Sequence, residues 1–307
     1  MNRLAPLFVI IAASLWGFDG IVLRPSLYNL PVFLVVFLES IIVTAILTPF
    51  FIKRFPLLKT LEFKDWMAFL GVAIFGGVIG TVSITKALFF VNFVNLSIVV
   101  LIQKLQPVFA IILASLLLKE RPAPAFYFWS ALAIAGAYFM TFGASLPNFD
   151  TGDKTTYAAL YAMLAVIGFG SSTVFSKRAL KNVDFETGTY LRFLMTTTVM
   201  LVLIFATGNA SNITDVTQAN WGIFLLIALF TGGPGIFLYY FGLKRITASI
   251  ATICELAFPL TAVILEYILR GNILSIIQWS GVFILFLAIL KVSSIKPSVV
   301  DSSELQS

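Results

Sequence analysis

Runs of predominantly apolar residues, each close to 20 long, follow one another from one end of this 307-residue chain to the other. A run of about 20 such residues crosses a hydrocarbon core of about 30 Å as a helix. Ten runs lie near 5–24, 31–52, 66–88, 95–118, 125–143, 156–176, 187–207, 220–242, 248–269 and 275–292, the third and fourth nearly touching. Their unbroken apolarity speaks against a membrane β-barrel, whose segments alternate over about ten residues. Charged residues make up only 11% of the chain, against about 25% in a soluble domain. The expected fold class is an all-α polytopic membrane protein with ten transmembrane helices. The first run is too long for a signal h-region and lacks a small-residue cleavage site, so it is expected to stay.

Charge placement orients these spans. With ten of them, the amino terminus and the connections after the even-numbered spans share one side. That side carries Arg3, Lys53, Arg54, Lys59, Lys64, Lys119, Arg121, Lys177, Arg178, Lys181, Lys244, Arg245, Lys291 and Lys296, whereas the other has Arg24, Lys154 and Arg270. Basic residues accumulate on the cytoplasmic side, so both termini are expected there, in a cell inner (plasma) membrane. The net charge of +6 is thus read by position, and no nucleic-acid partner is expected. Cys254 is the one cysteine and histidine is absent, which leaves no intramolecular disulfide and no imidazole for metal or proton relay.

The two halves of the chain correspond at a slowly drifting offset. Trp66 matches Trp221, Gly77 matches Gly232, Gly80 matches Gly235, Pro107 matches Pro259, and Trp129-Ser130 matches Trp279-Ser280. Residues 1–144 then form a first five-helix repeat, 145–155 a polar linker and 156–292 a second repeat. Residues 293–307 form a cytoplasmic tail expected to be disordered. An odd number of spans per copy inserts the copies in opposite senses, an inverted repeat of the kind common in secondary transporters.

Trp16-Gly17 in the first span, the prolines at 107 and 259, and "LLLKERP" at 116–122, set on a five-helix duplication, resemble the EamA-type family of the drug/metabolite transporter superfamily. The resemblance covers essentially the whole chain. It departs at "ILRGNIL" (268–274), where the second copy has no counterpart of Glu120. The resemblance implies alternating access and export of amino acids or related compounds.

Polar residues inside apolar runs mark candidate sites. In "LIQKLQP" (101–107), Lys104 falls near the middle of the fourth span. A central lysine costs at least about 2.5 kcal/mol to insert, so it should face the bundle interior beside water or an acid. Glu255, Asp19 and Glu39 are the acids in reach. Two readings stay open: Lys104 contacts substrate, or it is an internal ion-pair anchor. Gln103 and Gln106 share its polar sector. Pro107 and Pro259 cannot donate to the carbonyls of Gln103 and Glu255, which places a break at matching points of the two copies. Trp16, Phe18, Tyr239 and Tyr240 are the aromatics expected near a cavity. Lys104 could pair a substrate carboxylate, and Glu255 or Asp19 an amino group. Asp19, Glu39 and Glu255 are also candidate carriers of a coupling proton. Arg192 and Lys86 lie near enough to span ends to snorkel, and Glu266 and Arg270 have the spacing of a local helix pair. The glycines of "FGGVIG" (75–80) and "TGGPG" (231–235) suit close packing, with Pro107, Pro259 and Pro234 as candidate hinges.

No phosphate-binding lysine loop, metal-ligand cluster or nucleophile elbow occurs, so neither an enzyme nor a cofactor is expected. The expected function is a secondary transporter exporting small polar metabolites by alternating access, with protons as candidate coupling ions. A multidrug efflux carrier and a passive channel are the alternatives. The expected partners are a small-molecule substrate and the lipid bilayer.

Overall fold

Side-chain caps fix where several spans begin. Asp184 accepts from the Thr187 N–H at 2.8 Å. Thr217 and Asn220 cap each other's backbone N–H at 3.0 and 3.2 Å, and Ser275 and Gln278 do the same at 2.9 and 3.2 Å. Each cap satisfies donors that the first helical turn leaves without a partner. In a computed structural model that describes residues 4–90, 97–147, 154–271 and 273–295, ten helices are long and apolar enough to cross a membrane. They are α1 (Ala5–Leu27), α2 (Val32–Thr60), α3 (Phe63–Leu88), α4 (Val99–Leu117), α5 (Pro124–Phe142), α6 (Thr155–Ala179), α7 (Phe185–Ala206), α8 (Gln218–Leu243), α9 (Ala248–Arg270) and α10 (Ile276–Ser293). No strand occurs among the described residues. The chain is an all-α, multi-pass membrane protein. Most of the tail, from residue 296, and the linker stretch 148–153 lie outside the described residues.

The main difference from the expected spans is α2, which continues past residue 52. Ile52–Thr60 winds on as a narrow 3-10 helix, although Lys53, Arg54 and Lys59 end the apolar run there. The backbone stays helical after hydropathy has dropped.

Packing joins the spans in a regular way. The α1 helix packs against α8 and α9, whereas α6 packs against α3 and α4; α2 pairs with α7, and α5 with α10. Small side chains make these approaches possible: Ala5, Ala12, Ala13, Ala133 and Ala137 are fully buried. Two glycines are required by their neighbours. A Cβ on Gly235 would lie 2.7 Å from Trp16 Nε1, and one on Gly80 would lie 2.7 Å from Phe169 Cδ1. Large apolar side chains such as Phe50, Leu116, Phe205 and Ile276 point outward, where hydrocarbon covers them in a bilayer.

Three stretches widen to π-helix: Asp19–Leu23 in α1, Val72–Gly80 in α3 and Ile227–Gly232 in α8. The last ends just before Pro234, which follows at the second residue. Regular helix is also interrupted at Lys104–Leu105 in α4 and Glu255–Leu256 in α9, the breaks expected from Pro107 and Pro259. In α9 the break is tight. The Glu255 carbonyl accepts from the Phe258 N–H at 2.9 Å, so Pro259 does not leave it free, as the missing proline donor alone would suggest.

Candidate functional site

The break in α9 carries the Glu255 side chain into a set of donors from other helices. Its carboxylate accepts from Tyr239 Oη at 2.6 Å, from Thr173 Oγ1 at 3.1 Å and from Gln106 Nε2 at 3.5 Å. These come from α8, α6 and α4. Trp16 of α1 lies over Tyr239, with ring centroids 5.3 Å apart, in the space that Gly235 leaves. Beside it, Tyr240 Oη is 3.1 Å from Ser176 Oγ and accepts from Arg192 Nη1 at 3.4 Å. Thr252, one turn before Glu255, has a buried hydroxyl with no hydrogen-bond partner among the described residues. Side chains from α4, α6 and α8 thus converge on the acid carried by α9, and Trp16 of α1 packs against the Tyr239 ring.

The pairing expected for Lys104 does not form. Its side chain is buried, at 8% exposure, yet among the described residues no hydrogen bond or ion pair reaches its ammonium. The acids are engaged elsewhere. Glu255 is held by the three donors above, and Asp19 and Glu39 are taken by Arg24. Arg24 Nε and Nη2 donate to Asp19 Oδ2 at 3.0 and 2.6 Å, and Nη1 lies 3.1 Å from Glu39 Oε1. Arg24 was expected in an outer connection. The wide turn at Asp19–Leu23 and the 3-10 turn at Arg24–Leu27 instead keep it on α1, with its side chain running back toward Asp19. Gln103 turns to α6 and donates to the Ala162 carbonyl at 3.5 Å.

Of the residues singled out from sequence, Glu255, Tyr239, Trp16 and Gln106 come together with Tyr240 adjoining. Asp19 and Glu39 form a second cluster, and Lys104 stands apart from both. Thr173, Ser176, Thr252 and Arg24 were not foreseen. The polar run "GSSTVFSK" (170–177) inside an otherwise apolar span is the signal that pointed to two of them.

Around this centre, charges serve helix ends. Glu120 accepts from the Ala248 and Ser249 N–H groups at 2.7 and 2.9 Å and from Ser249 Oγ at 2.6 Å, capping the start of α9. Lys177 donates to the Leu243 carbonyl at 2.8 Å, while Lys244 donates to those of Leu180, at 3.1 Å, and Val183. A cleft of about 220 Å³ lies between α2, α7 and α8, lined by Phe51, Tyr190 and Phe237 with the Arg54–Glu186 ion pair at its edge. Among the described residues no group of His, Cys, Asp or Glu side chains is placed to hold a metal ion. Glu266 and Arg270 form the expected i,i+4 pair at 3.4 Å.

Comparison with known proteins gives a consistent picture. The chain is 46% identical over 290 residues to the riboflavin transporter ImpX of Fusobacterium nucleatum, covering 94% of this chain and 97% of that protein. It is 27% identical over 188 residues, 61% of each chain, to the uncharacterized transporter YwfM of Bacillus subtilis. A crystal structure 18% identical in sequence superposes over the full length of both chains with a TM-score of 0.71, a likeness of fold. The model of the EamA-like transporter family matches residues 3–142 and 156–294. The chain therefore belongs to the EamA-like transporter family of the drug/metabolite transporter superfamily: it is a membrane transporter of small molecules and not an enzyme.

Proposed function

We propose that this protein carries riboflavin, or a compound closely related to it, across the membrane. The observation that carries this reading is the 46% identity to a riboflavin transporter over nearly the whole of both chains. The chemistry of the Glu255 cluster supports it. Riboflavin is uncharged, with a flat tricyclic ring and a chain of hydroxyl groups. Trp16, Tyr239 and Tyr240 offer aromatic faces for the ring. Glu255, Thr173 and Gln106 offer acceptors and donors for the hydroxyls; Lys104, outside this cluster but two residues before Gln106 on α4, is the further donor proposed for a ring carbonyl. Such a site is mostly apolar with a few placed polar groups, as small-molecule sites usually are.

Transport proceeds by alternating access between two inverted five-helix copies, 1–144 and 156–292. Two features support this: the family model matches one stretch in each half, and helices trade partners in a two-fold pattern, α1 with α8 and α9 as α6 with α3 and α4. Uptake into proteoliposomes, followed by flavin fluorescence, tests the substrate. Saturable riboflavin movement is expected. Amino acids, which the family resemblance alone suggests, and aromatic cations belong in the same panel. Movement of one of these with none of riboflavin would overturn the assignment, and flux that never saturates would select a channel.

A further inference from the structure

We propose that Asp19, Arg24 and Glu39 form a proton-coupling site in the outer half of the bundle, separate from the Glu255 cluster, with Glu39 as the group that gains and loses the proton. This rests on the reading of the chain as a secondary transporter. Asp19 lies eight residues before the end of α1, and Glu39 seven after the start of α2, about 10–12 Å below the span ends at 1.5 Å per residue. Two carboxylates share one guanidinium there. With both ionised the cluster has an excess negative charge inside the membrane, and such a charge is costly unless neutralised. The remaining acceptors point the same way. Asp19, at 4% exposure, has its Oδ1 buried without a hydrogen bond among the described residues, and Glu39 Oε1 is met only by the ion-pair contact from Arg24 Nη1 at 3.1 Å.

The two acids are not equivalent. Asp19 receives both close hydrogen bonds from Arg24, whereas Glu39 has contacts of 3.1 and 3.4 Å. A proton from the outer aqueous side therefore goes to Glu39, which releases Arg24 to Asp19 alone. That matters mechanically. Arg24 ties α1, which packs against α8 and α9, to α2, which packs against α7. Proton binding unties them at the outer end, and proton loss ties them again.

Charged groups and a tyrosine on the neighbouring helices are engaged elsewhere: Lys86 of α3 with the Tyr161 ring, Arg192 of α7 with Tyr240, Tyr239 of α8 with Glu255, and Glu266 with Arg270 at the outer end of α9. The cluster is also one-sided. At an offset of 153, the second copy has Ser172, Lys177 and Arg192 in place of Asp19, Arg24 and Glu39, so the triad is not a repeated scaffold element.

Charge counting gives the test. Glu39→Gln and Asp19→Asn each leave a neutral Arg24–carboxylate pair that needs no proton. Both variants should fold and lose accumulation driven by a pH gradient, the inside-to-outside ratio falling to one; Glu39→Gln, with α1 untied from α2, should keep riboflavin counterflow, whereas Asp19→Asn, whose Arg24–Glu39 pair holds the tie, should slow it. The double variant strands Arg24 and should reduce the folded protein recovered several-fold. Accumulation by Glu39→Gln equal to wild type, or accumulation driven by a sodium gradient instead, overturns the proposal. If wild type moves no riboflavin, the substrate assignment fails separately. The site is then read by infrared spectroscopy of purified protein in lipid. A carboxylic acid carbonyl band that titrates with pH in wild type and is missing in Glu39→Gln supports it, and no titrating band in wild type overturns it.

Discussion

Tyr239 divides its two ends between the features that define the candidate site: its hydroxyl donates to Glu255 at 2.6 Å, and its ring lies beside Trp16. Tyr239→Phe keeps the ring and removes the donor. A hydrogen bond to a charged group is worth about 1.5–3 kcal/mol, so the KM for substrate should rise about tenfold or more, measured at matched protein abundance. An unchanged KM would place Glu255 off the substrate path. Lys104 calls for the opposite stability argument. A lysine buried without a hydrogen bond or ion pair to its ammonium among the described residues adds little to stability, so Lys104→Met should leave the melting temperature unchanged or raise it while transport falls. Loss of folded protein would instead restore the anchor reading. Glu255 and Tyr239 were legible in sequence because an acid and a tyrosine are conspicuous in apolar spans. The failure of Lys104 to meet Glu255, Asp19 or Glu39 was not, because hydropathy does not say which way a side chain faces.

At the scale of helices, the charge at residue 120 and the glycines at 80 and 235 have clear mechanical roles. Glu120 satisfies two backbone donors at the start of α9, the helix that carries Glu255. Glu120→Ala leaves buried donors unpaired, and the cost of each such loss is about 1–3 kcal/mol. A lowered melting temperature in detergent is expected, and rescue by Glu120→Asp only if the shorter side chain still reaches the Ala248 N–H. The second copy reads Gly271 near the matching point, so the cap serves one helix and not a symmetric pair. Gly235→Ala would push a methyl group to 2.7 Å from the Trp16 indole, and overpacking of this kind costs about 1–3 kcal/mol. Transport should fall further than in Gly80→Ala, which presses on Phe169 instead. Equal losses in the two variants would mean that Trp16 matters only for packing. The proline breaks in α4 and α9 could be read from sequence because proline lacks a donor wherever it stands. The π-helical turns could not: "DGIVL" and "IALFTG" have ordinary composition, and widening depends on tertiary neighbours.

For the whole molecule, span count and charge asymmetry are two linked readings of the sequence, and the structure changes which basic residues enter the second. Arg24 counted against the positive-inside pattern while it stood in an outer connection, but its pairing with Asp19 and Glu39 removes it from that count. Lys154 and Arg270 then remain as basic residues expected outside, and Arg270 is paired with Glu266. The positions of all ten spans were legible because length and apolarity set them directly. The partner exchange among helices was not, since contacts between spans depend on facing and on small residues that recur throughout the chain. The orientation proposed from charge, with both termini in the cytoplasm, can be checked by labelling. Cys254 is fully buried, so Cys254→Ala gives a cysteine-free background with little change at the surface. Ser211 lies between α7 and α8, and Thr60 ends α2 where the chain turns toward α3; both are exposed. With the termini in the cytoplasm, Ser211→Cys should react with a membrane-impermeant maleimide in intact cells, and Thr60→Cys only after the membrane is opened. The reverse pattern would invert the orientation, and would then require the Asp19–Arg24–Glu39 cluster to take its proton from the cytoplasm.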